Sequence, residues 1–354
     1  MLQALRGSQG LLETLLKNRA YRALMQFKTG VKFGKTGLSF DTQMRNVVST
    51  PMFVIGYGWI GGKGTAQDAF KFIYDDITGA GKTFNTQTFI ERVRKGIKLG
   101  YLDESIEAQE MLAVIKKLNE NPRAIDRFMT GALNTKFMDR ATQFYQAGDN
   151  VWKEYAYVWN RNNLNNIFKG NKKELIKQEE LVTGQKYNPI SKITGKPKTY
   201  DDAVDEFSAW YARNLMPTYS LVPEVVRDIR LIPLGSFISW PSEIIRLMGV
   251  SARTALREAS STNVAMQQNG LRKLMGMTLT LGAAGAVMDK VFERYTGVNK
   301  DMIEAFRRSF AYDYDKYSRF TAVKAMEDNT LTLVNSSYAD VWDYLKKPMR
   351  AFLN

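Results

Sequence analysis

Two side-chain types that carry much of enzyme chemistry are missing from these 354 residues: there is no histidine and no cysteine. Thiolate nucleophiles, disulfides, Cys/His zinc sites, Ser-His-Asp triads and imidazole bases are thereby excluded. Carboxylate, lysine, tyrosine and Ser-Lys chemistry is left, and its candidates are few. Gly79-Ala80-Gly81-Lys82-Thr83 ends like a phosphate-binding loop, but such a loop has a glycine five residues before Gly81, where Asp76 stands. It also follows a strand, whereas FKFIYDDIT reads as a helix, so a helix-ending turn is the plainer reading. Tyr312-Asp313-Tyr314-Asp315 sets two carboxylates two apart, on different sides of a helix, where they cannot readily share a metal. Glu179 and Glu180 stand among lysines and read as solvated charges. The sequence assigns no catalytic residue, no metal ligand and no cofactor.

The elements that would position any site are helices. Residues 1–28 carry Leu5, Leu12, Leu15, Leu16, Leu24 and Met25 at helical spacings, and residues 29–40 form a Gly- and Lys-rich break. Residues 65–79 and 85–99 read as helices, with Thr65 and Asn85 as candidate caps. Residues 103–120 lead with acids, trail with lysines and carry an apolar stripe. A segment from Asn121-Pro122 to about Gly170 is crowded with aromatics, which at this density mean helical core. Further helices are expected at 200–215, 222–230, 241–268, 270–296, 299–327 and 338–352. Strand and hairpin signals are nearly absent. The fold class expected is all-α, an elongated multi-helix assembly with a Gly-rich irregular N-terminal segment.

Composition suggests four regions. Residues 1–100 form a basic N-terminal helical region and 101–169 an aromatic-rich helical region. Residues 170–199, with seven lysines, two prolines and three glycines, read as a short charged helix and an exposed linker or arm. Residues 200–354 form a C-terminal helical domain. The formal net charge is +14, and residues 1–63, with nine Lys or Arg against two acids, supply half of it. That excess favours an anionic partner, with solvated surface lysine as the plain alternative. The uncharged candidate Leu274–Met288 has 15 residues, short of the roughly 20 a spanning helix needs. Gly276, Gly282 and Ala286 in it would allow close helix–helix approach, in a protein core or, if 270–292 entered one, in a membrane.

The chain is organised around Arg230–Met248, RLIPLGSFISWPSEIIRLM. Pro233 and Gly235 forbid a helix interior, and Phe237 and Trp240 sit in the loop that follows. Pro241 suits a helix's first turn, Ser239 or Trp240 its cap, and Glu243 its positive end. From Ile244 on, Leu247, Met248, Ala252, Ala255 and Leu256 make one apolar face, while Arg246, Arg253 and Arg257 share another. Arg230, Pro233, Gly235, Phe237, Trp240, Pro241, Glu243 and Arg246 read as a structural junction.

RLIPLGSFISWPSEIIRLMGVSARTALRE followed by NGLRKLMGMTLTLGAAGAV resembles a segment of the very large phage polyvalent proteins. These are giant internal virion proteins of podoviruses, some of which include a virion-packaged RNA polymerase. YQAGDNVWKEYAYVWNRNNL and SSYADVWDYLKKPMRAFLN agree with it, so the resemblance covers about residues 140–354, with 170–199 as an insertion-like departure. A second likeness is local. Arg45-x3-Ser49-x-Pro51-Met52-Phe53-x3-Tyr57-Gly58 is similar to the fingers helix of single-subunit phage RNA polymerases. There an arginine and a lysine four residues on hold nucleotide phosphates and a tyrosine gates the site. Arg45, Tyr57 and Gly58 fit a remnant of that pattern, but Ser49 stands in place of the lysine.

The first resemblance implies a non-enzymatic structural virion protein, packaged in the capsid of a tailed phage and taking part in genome ejection. Its partners would be other internal virion proteins, the portal, packaged double-stranded DNA held electrostatically, and sister copies in a homo-oligomer. Its location would be the capsid interior, then the host envelope. The second implies an alternative, the C-terminal fragment of a virion-packaged RNA polymerase. Because the relatives are giants, the chain is expected to be a segment, a cleavage product or a split gene. Cysteine-free helices with local contacts would suit a chain that unfolds and refolds in transit.

Overall fold

The computed structural model describes residues 51–61, 67, 71, 86–102, 136–218, 221, 239–280, 290, 293–294, 297–298, 300–312, 317–325, 331–335, 337 and 346–347. The chain forms two compact units that interleave in sequence. One takes Met1–Met44, Glu104–Gln146 and Tyr219–Ser242; the other takes Arg45–Asp103, Ala147–Thr218 and Glu243–Asn354. The regions suggested by composition run in chain order, whereas the compact units do not. Nearly all described residues belong to the second unit.

The described elements are predominantly helical. They are α1 (Pro51–Gly56), α2 (Thr86–Leu99), α3 (Lys136–Phe168), α4 (Lys172–Thr183), α5 (Tyr200–Leu215), α6 (Ser239–Ala259), α7 (Val264–Thr278) and α8 (Lys300–Phe310), then strands β1 (Phe320–Ala325) and β2 (Leu331–Asn335). The strands pair antiparallel, Phe320 opposite Asn335 and Ala325 opposite Leu331. This hairpin stands where a helix over 299–327 is expected. Among the described residues of that range only those up to Phe310 are helical, and Phe306 of α8 packs edge-on against Phe320 of β1.

Local chemistry fixes the helix ends. Thr199 and Asp202 form a capping box at the start of α5, with Asp202 N donating to Thr199 Oγ1 at 3.1 Å and Thr199 N to Asp202 Oδ2 at 3.0 Å. Asn171 caps α4, and Gly184, at φ 70°, closes it with a bond to the Glu180 carbonyl. The break between α6 and α7 falls at Ser260–Asn263, because the Asn263 side chain accepts from Ala265 N and Met266 N and so starts a new helix there. The sequence expectation had one helix through 268 and a second starting at Gly270. Gly270 instead lies inside α7, where its missing side chain lets the helix touch α6: a Cβ would lie 2.3 Å from Ala259 N and 2.6 Å from Ala255 O. Helix propensity alone makes Gly→Ala favourable by about 1 kcal/mol. We expect Gly270→Ala to destabilise by ~1–3 kcal/mol through backbone overlap. Gly249→Ala, on an exposed turn of α6 with nothing within 4 Å, should stabilise. Urea titration of the two variants checks the pair; equal shifts would refute the contact.

The Lys-rich stretch, read from composition as an exposed linker or arm, is packed. Helix α4 lies against α5 and buries Leu175, Gln178 and Val182. The loop after it is tied to α5 through Glu206, whose Oε1 accepts from Lys192 N at 2.7 Å and whose Oε2 pairs with Lys198 Nζ at 2.9 Å. Lys198 is buried, with its ammonium 4.6 Å from the Tyr187 ring. Glu179 departs from the solvated reading as well. Its Oε2 is buried without a hydrogen-bond partner, and burial pushes its carboxyl up to about 7.

Candidate functional site

Helices α2 and α3, with Tyr101 of the turn after α2, line a cleft of about 270 Å³. Arg92 and Lys95 stand three apart on α2 and so share a face. Gly96 lets the chain fold back sharply, since a Cβ there would meet the Leu102 side chain at 2.3 Å. Gly100, at φ 74°, completes the turn that brings Tyr101 under the helix. From α3 come Glu154, Tyr157 and Arg161, at i, i+3 and i+7 on one face. Asp205 of α5 closes the cleft from behind.

The carboxylates lie deep and the cations at the rim. Glu154 is 1% exposed and pairs with Arg92, while Tyr101 Oη donates to its Oε2 at 2.9 Å. Asp205 pairs with Lys95, accepts from Arg161 Nε at 2.7 Å, and accepts from Tyr157 Oη at 2.8 Å. The rings of Tyr101 and Tyr157 stack at 4.5 Å and 11°. Both phenols are held well above their ordinary pKa, first by burial and then by the carboxylates beside them, Glu154 for Tyr101 and Asp205 for Tyr157. They therefore stay neutral and donate; neither can serve as a base at physiological pH. Burial works against the Arg161 charge, but the hydrogen bond and charge of Asp205 outweigh it and hold the guanidinium above its usual pKa. The arrangement can position and hold charge, and it presents no activated nucleophile.

No protein-family model, curated protein or solved structure matches this chain.

A second network lies wholly inside the unit. Lys273 Nζ of α7 bonds Glu258 of α6 at 2.9 and 2.7 Å. Tyr211 Oη of α5 donates to the same carboxylate, and Lys273 sits 5.0 Å from the Tyr211 ring. All three residues are buried. Their burial makes the network a staple across three helices.

The junction residues divide between described and undescribed positions. Arg230, Pro233, Gly235 and Phe237 lie outside the described residues, and of Trp240 only the helical backbone is described. Pro241 is in the first turn of α6 and half-buried. Glu243 is fully buried. It accepts from Thr218 N at 2.7 Å and from Arg246 at 2.7 and 2.5 Å, while Arg246 also donates to the Asn214 carbonyl at 3.3 Å. Glu243 and Arg246 therefore tie the end of α5 to the start of α6, where the sequence offered only a charge at a helix terminus. The buried face of α6 takes Glu243, Ile244, Leu247, Ser251, Thr254, Ala255 and Glu258, and the expected face member Leu256 is 59% exposed.

Tyr57 is buried, its oxygen accepts from Ser251 Oγ at 2.8 Å, and its ring packs on Phe53 and Trp59. Gly58, at φ 66°, makes the turn after α1. Arg45 lies outside the described residues, as do Gly282, Ala286 and the Gly79–Thr83 string. Gly276 lies where α7 meets α1; a Cβ there would be 2.5 Å from Gly56 O. Sequence reading missed Arg92, Glu154, Arg161, Asp205, Glu258 and Lys273. The signal for Glu154–Arg161 was their shared helical face, but nothing local distinguishes a buried charge from a solvated one.

Proposed function

We propose that this chain is a structural internal virion protein of a tailed phage, packaged with the genome and taking part in its ejection. The observation that carries the reading is the resemblance of the segment from Arg230 to Val287 to phage polyvalent proteins. It is supported by where that segment's polar residues lie: Glu243, Arg246, Glu258 and Lys273 supply ion pairs at the centre of the second unit. Such residues hold helices together and perform no chemistry. The partners follow from the same reading: sister copies, other internal proteins, the portal, packaged DNA and, after release, the host envelope. Among the described residues no helix is long and apolar enough to cross a membrane, and no cluster of three acids could hold a metal ion. The polymerase-fragment alternative keeps its local likeness at Arg45, Tyr57 and Gly58 and is second, because Tyr57 is committed to a buried contact with Ser251.

The test is peptide mass spectrometry of purified particles before and after triggered DNA release. The chain should be present before release and lost afterwards. Absence from intact particles would overturn the reading.

A further inference from the structure

We propose that the outer face of α6 and α7, with the turn after α1, is a surface for docking on an anionic lipid bilayer. On α7, Val264, Leu271 and Met275 recur at i, i+7 and i+11 and so share one face, which the C-cap residue Leu279 continues. All four are between 46% and 73% exposed, while the opposite face buries Met266, Asn269, Lys273 and Met277. On α6, Ile245 and Leu256 stand at i and i+11 on one exposed face, with exposed Gly249 and half-buried Ala252 between them. Helix α1 meets α7 at Gly56 and Gly276, which brings exposed Ile55 and Ile60 alongside. These positions hold eight of the fourteen large apolar or aromatic side chains exposed among the described residues, so the exposure is concentrated and not scattered.

Charge on these elements has one sign at the surface. Residues 51–61 carry no charged side chain. Residues 239–280 carry two acids, Glu243 and Glu258, and both are fully buried in ion pairs. Exposed Arg253 lies three residues before Leu256, and exposed Arg272 three before Met275, so each is a surface neighbour of an apolar stripe. An arginine stem can stay in the apolar layer while its head reaches a lipid phosphate. Aliphatic stripes flanked by arginine are the composition of helices that lie in a bilayer interface. A second copy fits less well, because it would set arginine against arginine with no carboxylate to answer. Protein partners are usually anchored by tyrosine or tryptophan, with leucine and valine under-represented, and the described residues of this face offer no exposed aromatic ring. This lipid contact does not depend on the virion reading: vesicles test the one, and particle composition tests the other.

The experiment is co-sedimentation of the full chain with unilamellar vesicles of phosphatidylcholine, alone or mixed with phosphatidylglycerol. Binding to the mixed vesicles is expected, weaker on phosphatidylcholine alone and falling as salt is raised. Met275→Glu puts a carboxylate where the surface has none and removes an apolar contact, so it should weaken binding at least about tenfold. Arg272→Gln should weaken it about fivefold. Ile97→Glu alters an exposed residue of α2, outside this face, and changes net charge as Met275→Glu does; it should bind as the unaltered chain does. Equal weakening by the two glutamates would mean that overall positive charge holds the lipid, and it would overturn the proposal. Failure to bind mixed vesicles would overturn it too. Self-association without lipid that Met275→Glu abolishes, in a chain that ignores vesicles, would give the face to a second copy instead.

Discussion

Lys273→Met should cost the second unit about 3–5 kcal/mol, the usual penalty for removing one partner of a buried ion pair. The mechanism is specific. Glu258 is fully buried and takes both of its close cationic bonds from Lys273, so the variant leaves a carboxylate with only the Tyr211 hydroxyl to stabilise it. Methionine restores most of the lost volume, which separates the electrostatic loss from a cavity effect. The triple replacement Tyr211→Phe, Glu258→Leu and Lys273→Met should recover most of the stability, because it removes every polar group that the single change strands. Urea denaturation of the single and triple variants is the measurement. A loss below 1 kcal/mol for Lys273→Met would mean that the pair is not closed off from solvent. Adding Glu258→Leu and the Glu258→Leu/Lys273→Met double variant closes a cycle whose coupling of Glu258 with Lys273 should be well above that of a surface pair.

Glu179 should make stability fall as pH rises, with the slope removed by Glu179→Gln. Burial is the largest cause of its raised pKa; Glu206 adds to the rise and Lys198 opposes it. A group whose folded pKa lies above its unfolded value stabilises fully below the unfolded pKa and loses that contribution as pH passes the folded one. Here the window runs from 4.5 to about 7. At ~1.4 kcal/mol per unit, the loss across it is about 3 kcal/mol. Above that window two ionised carboxylates, Glu179 and Glu206, face Lys198 and Lys192, which only partly offset the buried charge of Glu179. Glutamine stays neutral at every pH, so the stability gap between variant and unaltered chain should widen from pH 5 to 7 and level off above 8. Denaturation curves at unit pH steps would read this. Parallel pH profiles for the two proteins would rule Glu179 out as the source.

Both predictions rest on charges that sequence reading placed on the surface or did not single out. Helix positions were legible over 85–99, through 200–215 and for most of 241–268, because apolar spacing and caps such as Thr199 act over a few residues. The aromatic segment was legible as core for the same reason, and Tyr101, Tyr157 and Trp159 are buried. Turn chemistry was partly legible: Asn263 is a good cap in plain view, yet the expected helix boundary fell just before Gly270, because a glycine in sequence does not say whether it bounds a helix or admits another. The hairpin over 320–335 was missed because its residues carry no tight-turn signature and follow a strongly amphipathic helix.

Partnership was not legible at all. Arg92 finds Glu154 across 62 residues, Ser251 finds Tyr57 across 194, and Tyr155 donates to the Trp59 carbonyl across 96. These pairs run against the expectation of a chain dominated by local contacts. By itself the sequence determined the helical character, the absence of histidine and cysteine chemistry, and the excess of positive charge, since each follows from residue type and short-range spacing. Only the tertiary structure decided which charges are buried, because the cost of burying a charge is set by the partner that meets it, and that partner comes from a distant helix.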